Sequence, residues 1–267
     1  MTETRNLVYF RFVSKRRPSL ISALKNLVPR GARILVAVSG GRDSMALLHG
    51  ICAIRTMFEL LVEVSHVDHR LRDGSAEDAL FVKTFAARLL LECHLDVLAS
   101  PPPGHNIEAW ARGERYRIFA KHLSERSLDW CLTAHNANDV AETLLMRLIA
   151  NKGFGSIEEI DEKRRCLRPL LAITRTQINS YVQANSIAFV EDPTNSDMDF
   201  TRNKIRLQLI PFLEREFDAS VVWSLAERAR AMASDESLLS QLALDGLANL
   251  GTVNFKDLLW VDRKSVV

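Results

Sequence analysis

The passage from Arg33 to His49 limits the possible folds of this chain more than any other. Arg33-Ile-Leu-Val-Ala-Val38 is a short apolar run rich in β-branched residues. It breaks at Ser39-Gly40-Gly41, and Asp43-Ser-Met-Ala-Leu-Leu-His49 then takes up helical spacing. That order predicts a strand, a tight turn and a helix. Glycines in the turn let backbone N–H groups face an anion with no Cβ in the way, and the start of a helix adds orphan N–H donors and a favourable dipole. Ser39 and Ser44 add hydroxyls. The loop is not a G-x-x-x-x-G-K-S/T loop, because no lysine follows the second glycine. Taken alone, it also reads as an ordinary turn capped by Ser or Asp.

The same alternation continues downstream. Leu60–Val67, His94–Leu98 and Asp129–Thr133 read as strands, while Ser75–Leu91, Ile107 to about Leu123 and Val140–Ile149 have helical periodicity. Ser75 and Asp78 make a capping pair for the first of these helices. Pro101-Pro-Pro-Gly104 fits only a loop. Strands alternating with helices predict an α/β fold, a parallel twisted sheet with helices on both faces. Ligands of such sheets bind beyond the carboxyl ends of the strands. One site is therefore expected to gather Ser39–Ser44, Asp68–Arg72 and His135–Asp139, the loops after the first, second and fourth strands. After residue 150 the pattern changes to a flexible loop at Lys152–Ser156 and a helix from about Thr174. A loop at Glu191–Asn195, an amphipathic helix after Arg202–Arg206 and a helical stretch over 217–247 follow.

Composition narrows the class. The 267 residues carry a net charge of only +2, so overall charge does not announce a nucleic-acid partner. The N-terminus differs: eight basic residues precede Ile34 against one acid, Glu3, which suits phosphate contacts or a solvated terminus. Cys52, Cys93, Cys131 and Cys166 form no C-x-x-C and match no zinc spacing, so they are expected to be reduced thiols in a cytoplasmic protein. No apolar run is long enough to span a bilayer, and Arg5, Arg11 and Lys15 interrupt any signal-peptide core.

Ser39-Gly-Gly-Arg-Asp-Ser44 resembles the S-G-G-x-D-S signature of the PP-loop ATP pyrophosphatases. Further motifs resemble the tRNA(Ile)-lysidine synthetases within that superfamily. They are His66-Val-Asp-His-Arg-Leu-Arg72, Asn106-Ile-Glu-Ala-Trp-Ala-Arg-Gly-Glu-Arg-Tyr116, Thr133-Ala-His-Asn-Ala-Asn-Asp-Val-Ala-Glu-Thr143, Arg168-Pro-Leu-Leu171, Glu191-Asp-Pro-Thr-Asn195 and Phe200-Thr-Arg-Asn-Lys-Ile-Arg206. They occur in register over about residues 20 to 240. The sequence departs from the family at Asn136, Asn138 and Val140, where His or Gln, Asp and Gln are usual. Most members also continue into a C-terminal region that helps hold the tRNA, whereas this chain ends at Val267.

The resemblance implies ATP-dependent formation of lysidine at the wobble cytidine of tRNA(Ile) bearing a CAU anticodon, with free L-lysine as co-substrate and AMP and pyrophosphate as products. It implies a basic extension over 1–17, a PP-loop catalytic domain over 18–216 and a helical extension over 217–267, read as the start of the C-terminal region. Ser39, Gly40, Gly41, Arg42, Asp43 and Ser44, with His66 and Arg115, would bind the nucleotide, and Mg²⁺ would bridge phosphate oxygens through Asp43. Arg112 and Arg115 lie three apart on one helix face and suit charge stabilisation; Glu108 and Arg112 alternatively form a surface ion pair. Asp139 and Glu142 also face together, with Leu144, Leu145 and Leu148 marking the buried side. Two adjacent carboxylates call for a cation, and the lysine ammonium is one. Asp139, Glu142, Arg112 and Asp43 are thus the catalytic set. His135, Asp68, His69, Arg72 and Glu108 would contact substrate, and Arg202 and Arg206 the tRNA phosphates. A homodimer stays open. Three alternatives stand beside this reading: a PP-loop tRNA thiolase, disfavoured by the missing C-x-x-C; an amidating ligase, disfavoured by the ordered motifs; and a non-catalytic ATP- or RNA-binding module derived from such an enzyme.

Overall fold

The first predicted strand forms as β1 (Arg33–Ala37), with Ile34, Leu35 and Val36 all fully buried. Successive side chains of a strand point to opposite faces, so β1 needs apolar cover on both. The computed structural model, which describes residues 17–70, 74–99, 107–152, 157–191, 198 and 200–249, has that cover. On one face Ile34 and Val36 join a core built with α1 (Leu20–Leu27), α2 (Arg42–Phe58), α3 (Ser75–Arg88) and α6 (Arg175–Ala184). On the other face Leu35 packs with Ala111, Ile118, Phe119 and Leu123 of α4 (Ile107–Glu125).

Parallel pairing sets the rest. β1 lies between β2 (Leu61–Asp68) and β4 (Trp130–Leu132), both parallel to it, and β3 (Glu92–Val97) pairs parallel with β2. The six-stranded order is β3-β2-β1-β4-β6-β5, with β5 at Ile160–Asp161 and β6 at Cys166–Leu167. The chain therefore moves outward from β1 in both directions, and the strand order reverses at the β1/β4 boundary. Open α/β sheets bind ligands in the crevice formed at such a reversal.

Three details differ from the sequence expectation. β5 runs antiparallel to β6, so the sheet is mostly parallel rather than wholly so. Each of these strands has two residues, too few for a readable period. No Ser75 side chain caps α3; Gly74 precedes it at φ 89°, and its carbonyl accepts from the Asp78 N–H. α5 (Ala137–Ile149) buries Val140, Ala141 and Leu144 but leaves Leu148 half exposed. Pro101–Gly104, Arg72 and Asp192–Asn195 lie outside the described residues.

The chain divides into two compact units, Met1–Ala137 with Glu159–Asp192 and Asn138–Glu158 with Pro193–Val267. The first holds the sheet. The second is helical, with all of α5 after Ala137, α7 (Thr201–Lys204), a π-helical turn at Ile205–Leu209, α8 (Ile210–Glu216) and α9 (Val221–Asn249).

α6 has the clearest local signal. Thr174 accepts from the Gln177 N–H and the Gln177 side chain accepts from the Thr174 N–H, a full capping box. The Gln177 amide also donates to the Pro18 carbonyl at 2.9 Å, tying α6 to the segment before α1. Thr174→Ala is expected to lower stability by about 1 kcal/mol, read as a shifted urea midpoint at unchanged slope.

Candidate active site

The turn between β1 and α2 is held open by backbone conformation and by its own hydroxyls. Gly40 sits at φ +89°, so a side chain would be strained there although a Cβ would meet only ordinary contact, 3.4 Å from Val82 Cγ2. The Ser44 hydroxyl donates to the Gly41 carbonyl at 2.8 Å and accepts from the Ser39 N–H at 3.2 Å. Ser39 Oγ lies 3.2 Å from it and accepts from the Gly41 N–H at 3.3 Å. No side chain caps α2, whose N-cap is Gly41. A helix start left uncapped by side chains suits an anion.

Arg42 turns away from this turn. It donates to Asn179 Oδ1 and to Glu191, and its guanidinium covers the Phe189 ring at 4.6 Å. Asp43 is held from β4: the Asn136 amide, fully buried, donates to its carboxylate at 2.8 Å. The first turn of α2 and the loop leaving β4 are thus joined by an amide–carboxylate bond at the strand-order reversal. The Asp43 carboxylate, fixed by Asn136 in the first turn of α2, is the kind of oxygen ligand Mg²⁺ takes, since that ion keeps several waters and shares phosphate oxygens instead of filling a protein cage.

β2 and the loops after β2 and β4 supply the histidines. His66 is buried, with Nδ1 2.8 Å from the Val38 carbonyl at the end of β1. Asp68 accepts from the Arg70 N–H at 2.8 Å, fixing the turn at the end of β2. The His69 imidazole is pushed down to about 4, first by burial and then by the Arg115 guanidinium, with Asp68 opposing. Arg115 therefore acts on this loop. Arg112, one turn earlier, lies over the Tyr116 ring at 6.0 Å. Glu108 falls within α4. His135 Nδ1 is 2.9 Å from Thr133 Oγ1.

The second unit holds the paired acids. Glu142 has no solvent exposure, and Asp139 keeps 14%. Arg202 donates to Glu142 Oε2 at 2.8 Å and to Asp139 Oδ1 at 3.0 Å. Arg206 donates to Glu142 Oε1 at 2.8 Å and to Oε2 at 2.9 Å. The cation that two adjacent carboxylates require is thus supplied from within the chain, twice. Arg202 and Arg206 spend their guanidiniums on these acids, a different engagement from the phosphate contact expected of them. They come from α7 and the π-helical turn, and single-turn π segments inside helices recur at functional sites.

Two residues escaped the sequence reading. Asn136 stood out only as a departure from a family motif, yet it is the buried donor to Asp43. Arg168, 4% exposed, donates to Asp161 and to the Tyr116 hydroxyl, both at 3.3 Å, bracing β6 against β5 and α4. Its only sequence signal was its place in Arg168-Pro-Leu-Leu171. A third cluster faces the other end of the sheet. Glu63, Glu92 and His94 present ligand atoms within 4.8 Å of one another, but the Arg126 guanidinium engages both glutamates.

Comparison with known proteins gives this geometry a family. The PP-loop domain profile matches residues 16–213. A tRNA(Ile)-lysidine synthase from Clostridium perfringens is 34% identical over 223 residues, covering 81% of this chain and 48% of the relative. Another from Gloeobacter violaceus is 34% identical over 232 residues, covering 85% of this chain and 69% of that one. A U34-tRNA thiolase from Methanococcus maripaludis shares the fold, with a TM-score of 0.66 at 13% identity over 79% of this chain and 76% of that one. The chain belongs to the PP-loop family of ATP-using proteins, in its tRNA(Ile)-lysidine synthase branch. It spans about half the length of the Clostridium perfringens relative. Among the described residues no helix is long and apolar enough to cross a membrane.

Two outcomes follow from these contacts. Glu142→Ala leaves two guanidiniums facing a buried void, at a cost of about 3 kcal/mol, the low end for breaking a buried pair because both arginines keep some water. A urea titration showing a loss under about 1 kcal/mol would contradict the ion-pair account. For His69, the unfolded chain takes up a proton near 6.5 and the folded one only near 4. Stability from this residue is therefore full above about pH 6.5 and declines as pH falls toward 4. His69→Gln should flatten that decline in urea midpoints measured across this range.

Proposed function

We propose that this chain is an ATP-dependent RNA-modifying ligase that forms lysidine at the wobble cytidine of tRNA(Ile) with a CAU anticodon. The observation that carries the reading is the glycine turn after β1, strained at Gly40 and joined through Asp43–Asn136 to the loop after β4. Its family membership supplies the substrate class. Residues 18–216 are taken as the catalytic domain and 217–267 as a helical extension.

In this reading the Ser39–Ser44 turn holds the pyrophosphate part of ATP on backbone N–H groups. Asp43 and the serine hydroxyls would hold Mg²⁺, which neutralises phosphate charge when bound. The C2 carbonyl oxygen of cytosine attacks the α-phosphorus, and the bond to pyrophosphate breaks. A carbonyl oxygen is a poor leaving group; as an AMP ester it becomes a good one. The lysine Nζ then attacks C2, the C2–O bond breaks and AMP departs. Arg112 and Arg115 stabilise phosphate charge. The lysine ammonium is recognised by Asp139, the more exposed acid of the pair, and its surplus proton passes to that carboxylate. His66, Asp68, His69, Arg72, Glu108 and His135 are the proposed contacts to the nucleotide and the target base.

One observation favours a second reading. Arg202 and Arg206 already neutralise Asp139 and Glu142, as a module that binds ATP and RNA without joining lysine would tolerate.

The test is nucleoside analysis by mass spectrometry after incubating the protein with ATP, Mg²⁺, lysine and tRNA(Ile) bearing CAU. Lysidine in place of cytidine, together with AMP, is the expected product. Asp139→Asn should lower its rate by about 10²-fold or more. ATP binding with unmodified cytidine and no AMP would establish the non-catalytic reading instead.

A further inference from the structure

Cys131 and Cys166 are register partners on the neighbouring parallel strands β4 and β6. Register partners lie on the same face of a sheet with strands about 4.8 Å apart, inside the roughly 4.4–6.8 Å of Cα separation that a disulfide bridges. Both residues are buried, at 1% and 0% exposure.

Their surroundings are not those of inert core cysteines. The Cys166 thiol is held below the usual cysteine range first by the adjacent Cys131 thiol, with the Arg168 guanidinium and the Thr133 hydroxyl adding to it against burial. Burial pushes the Cys131 thiol up. Thr133 Oγ1 lies 3.7 Å from Cys166 Sγ and 2.9 Å from His135 Nδ1, so one hydroxyl joins the pair to the loop after β4. The other two cysteines differ. Burial raises both of their thiols, that of Cys93 to about 11, and neither faces a cysteine across a strand pair.

We propose that Cys131 and Cys166 are an oxidisable pair, converted by a peroxide to a disulfide that ties β4 to β6 and shifts the Thr133–His135 contact. The Cys166 thiolate attacks one peroxide oxygen and the O–O bond breaks, leaving a sulfenic acid. The Cys131 sulfur attacks that sulfur, the S–O bond breaks and the S–S bond forms. The two thiol hydrogens leave in two waters, and the two electrons reduce the peroxide. A dithiol reverses the step by exchange. Buried sulfurs favour an oxidant as small as hydrogen peroxide.

Native protein is exposed to hydrogen peroxide, quenched, unfolded, alkylated and digested for mass spectrometry. The expected product is a peptide joining Cys131 to Cys166, lighter by two hydrogens than its parts and separated by dithiothreitol, with Cys52 and Cys93 alkylated. Recovery of Cys131 and Cys166 as alkylated thiols while Cys52 or Cys93 is oxidised would overturn the proposal. So would sulfinic acid at Cys166 without a cross-link. A second arm rests on the proposed ligase reading. Oxidised protein should form AMP on the order of ten-fold more slowly, recover with dithiothreitol, and become insensitive in Cys131→Ala. A cross-link that leaves AMP formation unchanged would overturn the link to His135. If the reduced protein forms no AMP, the ligase reading fails by itself, and the cross-link still decides whether the pair exists.

Discussion

The pairing of β4 beside β1 is the constraint on which the sheet unit rests. β1 is buried on both faces, so neighbouring strands must flank it and helices must cover it from above and below. With β2 on one side and β4 on the other, the chain continues in opposite directions from a single boundary. Loops leaving the two strands part there, and the gap lies at the carboxyl ends, where α2 begins. Function in this fold follows from that topology before any side chain is chosen. Side chains then specialise it. Gly40 accepts a conformation that others resist, Ser39 and Ser44 brace the turn from inside, and Asn136 reaches across to hold Asp43.

Charge is managed differently in the helical unit. A fully buried Glu142 would be costly alone, and two arginines beside each other would repel. Together with Asp139 they form two acids and two guanidiniums with hydrogen bonds throughout. Such a cluster is a structural element, and it accepts an incoming amine only where Asp139 is open to it. The arginines raise the threshold for that exchange, because a lysine ammonium must compete with cations already attached to the chain. In the proposed reaction, free lysine would enter by displacing a guanidinium from Asp139, not by filling an empty acidic pair.

Most of the sheet was legible because its signals are local. The β1 run, the glycine turn and the α2 spacing lie within seventeen residues, and four strands appeared within a residue or two of their expected limits. The hairpin of β5 and β6 was not legible, since two-residue strands carry no period and form only because β4 presents an edge. Asp139 and Glu142 were readable from i, i+3 spacing, but their partners were not: the arginines sit some sixty residues away, and only folding reveals who neutralises whom. Leu148 illustrates the same limit. Its helical position predicted burial, and what covers a helix face is a tertiary fact. Asn136 was visible as an oddity without a role, because an amide's partner cannot be read from its own position.

The turn after β1 offers an anion the N–H groups of an uncapped helix start, held in place by the backbone at Gly40. The most direct measurement is ATP binding by calorimetry to the wild type and to Gly40→Ala, with the fold of each checked by circular dichroism. A side chain at φ +89° carries about 1–2 kcal/mol of strain, which the turn relieves by moving its N–H groups. The account predicts about ten-fold weaker ATP binding in a folded variant. Equal affinity in the two proteins would mean that the nucleotide is held elsewhere.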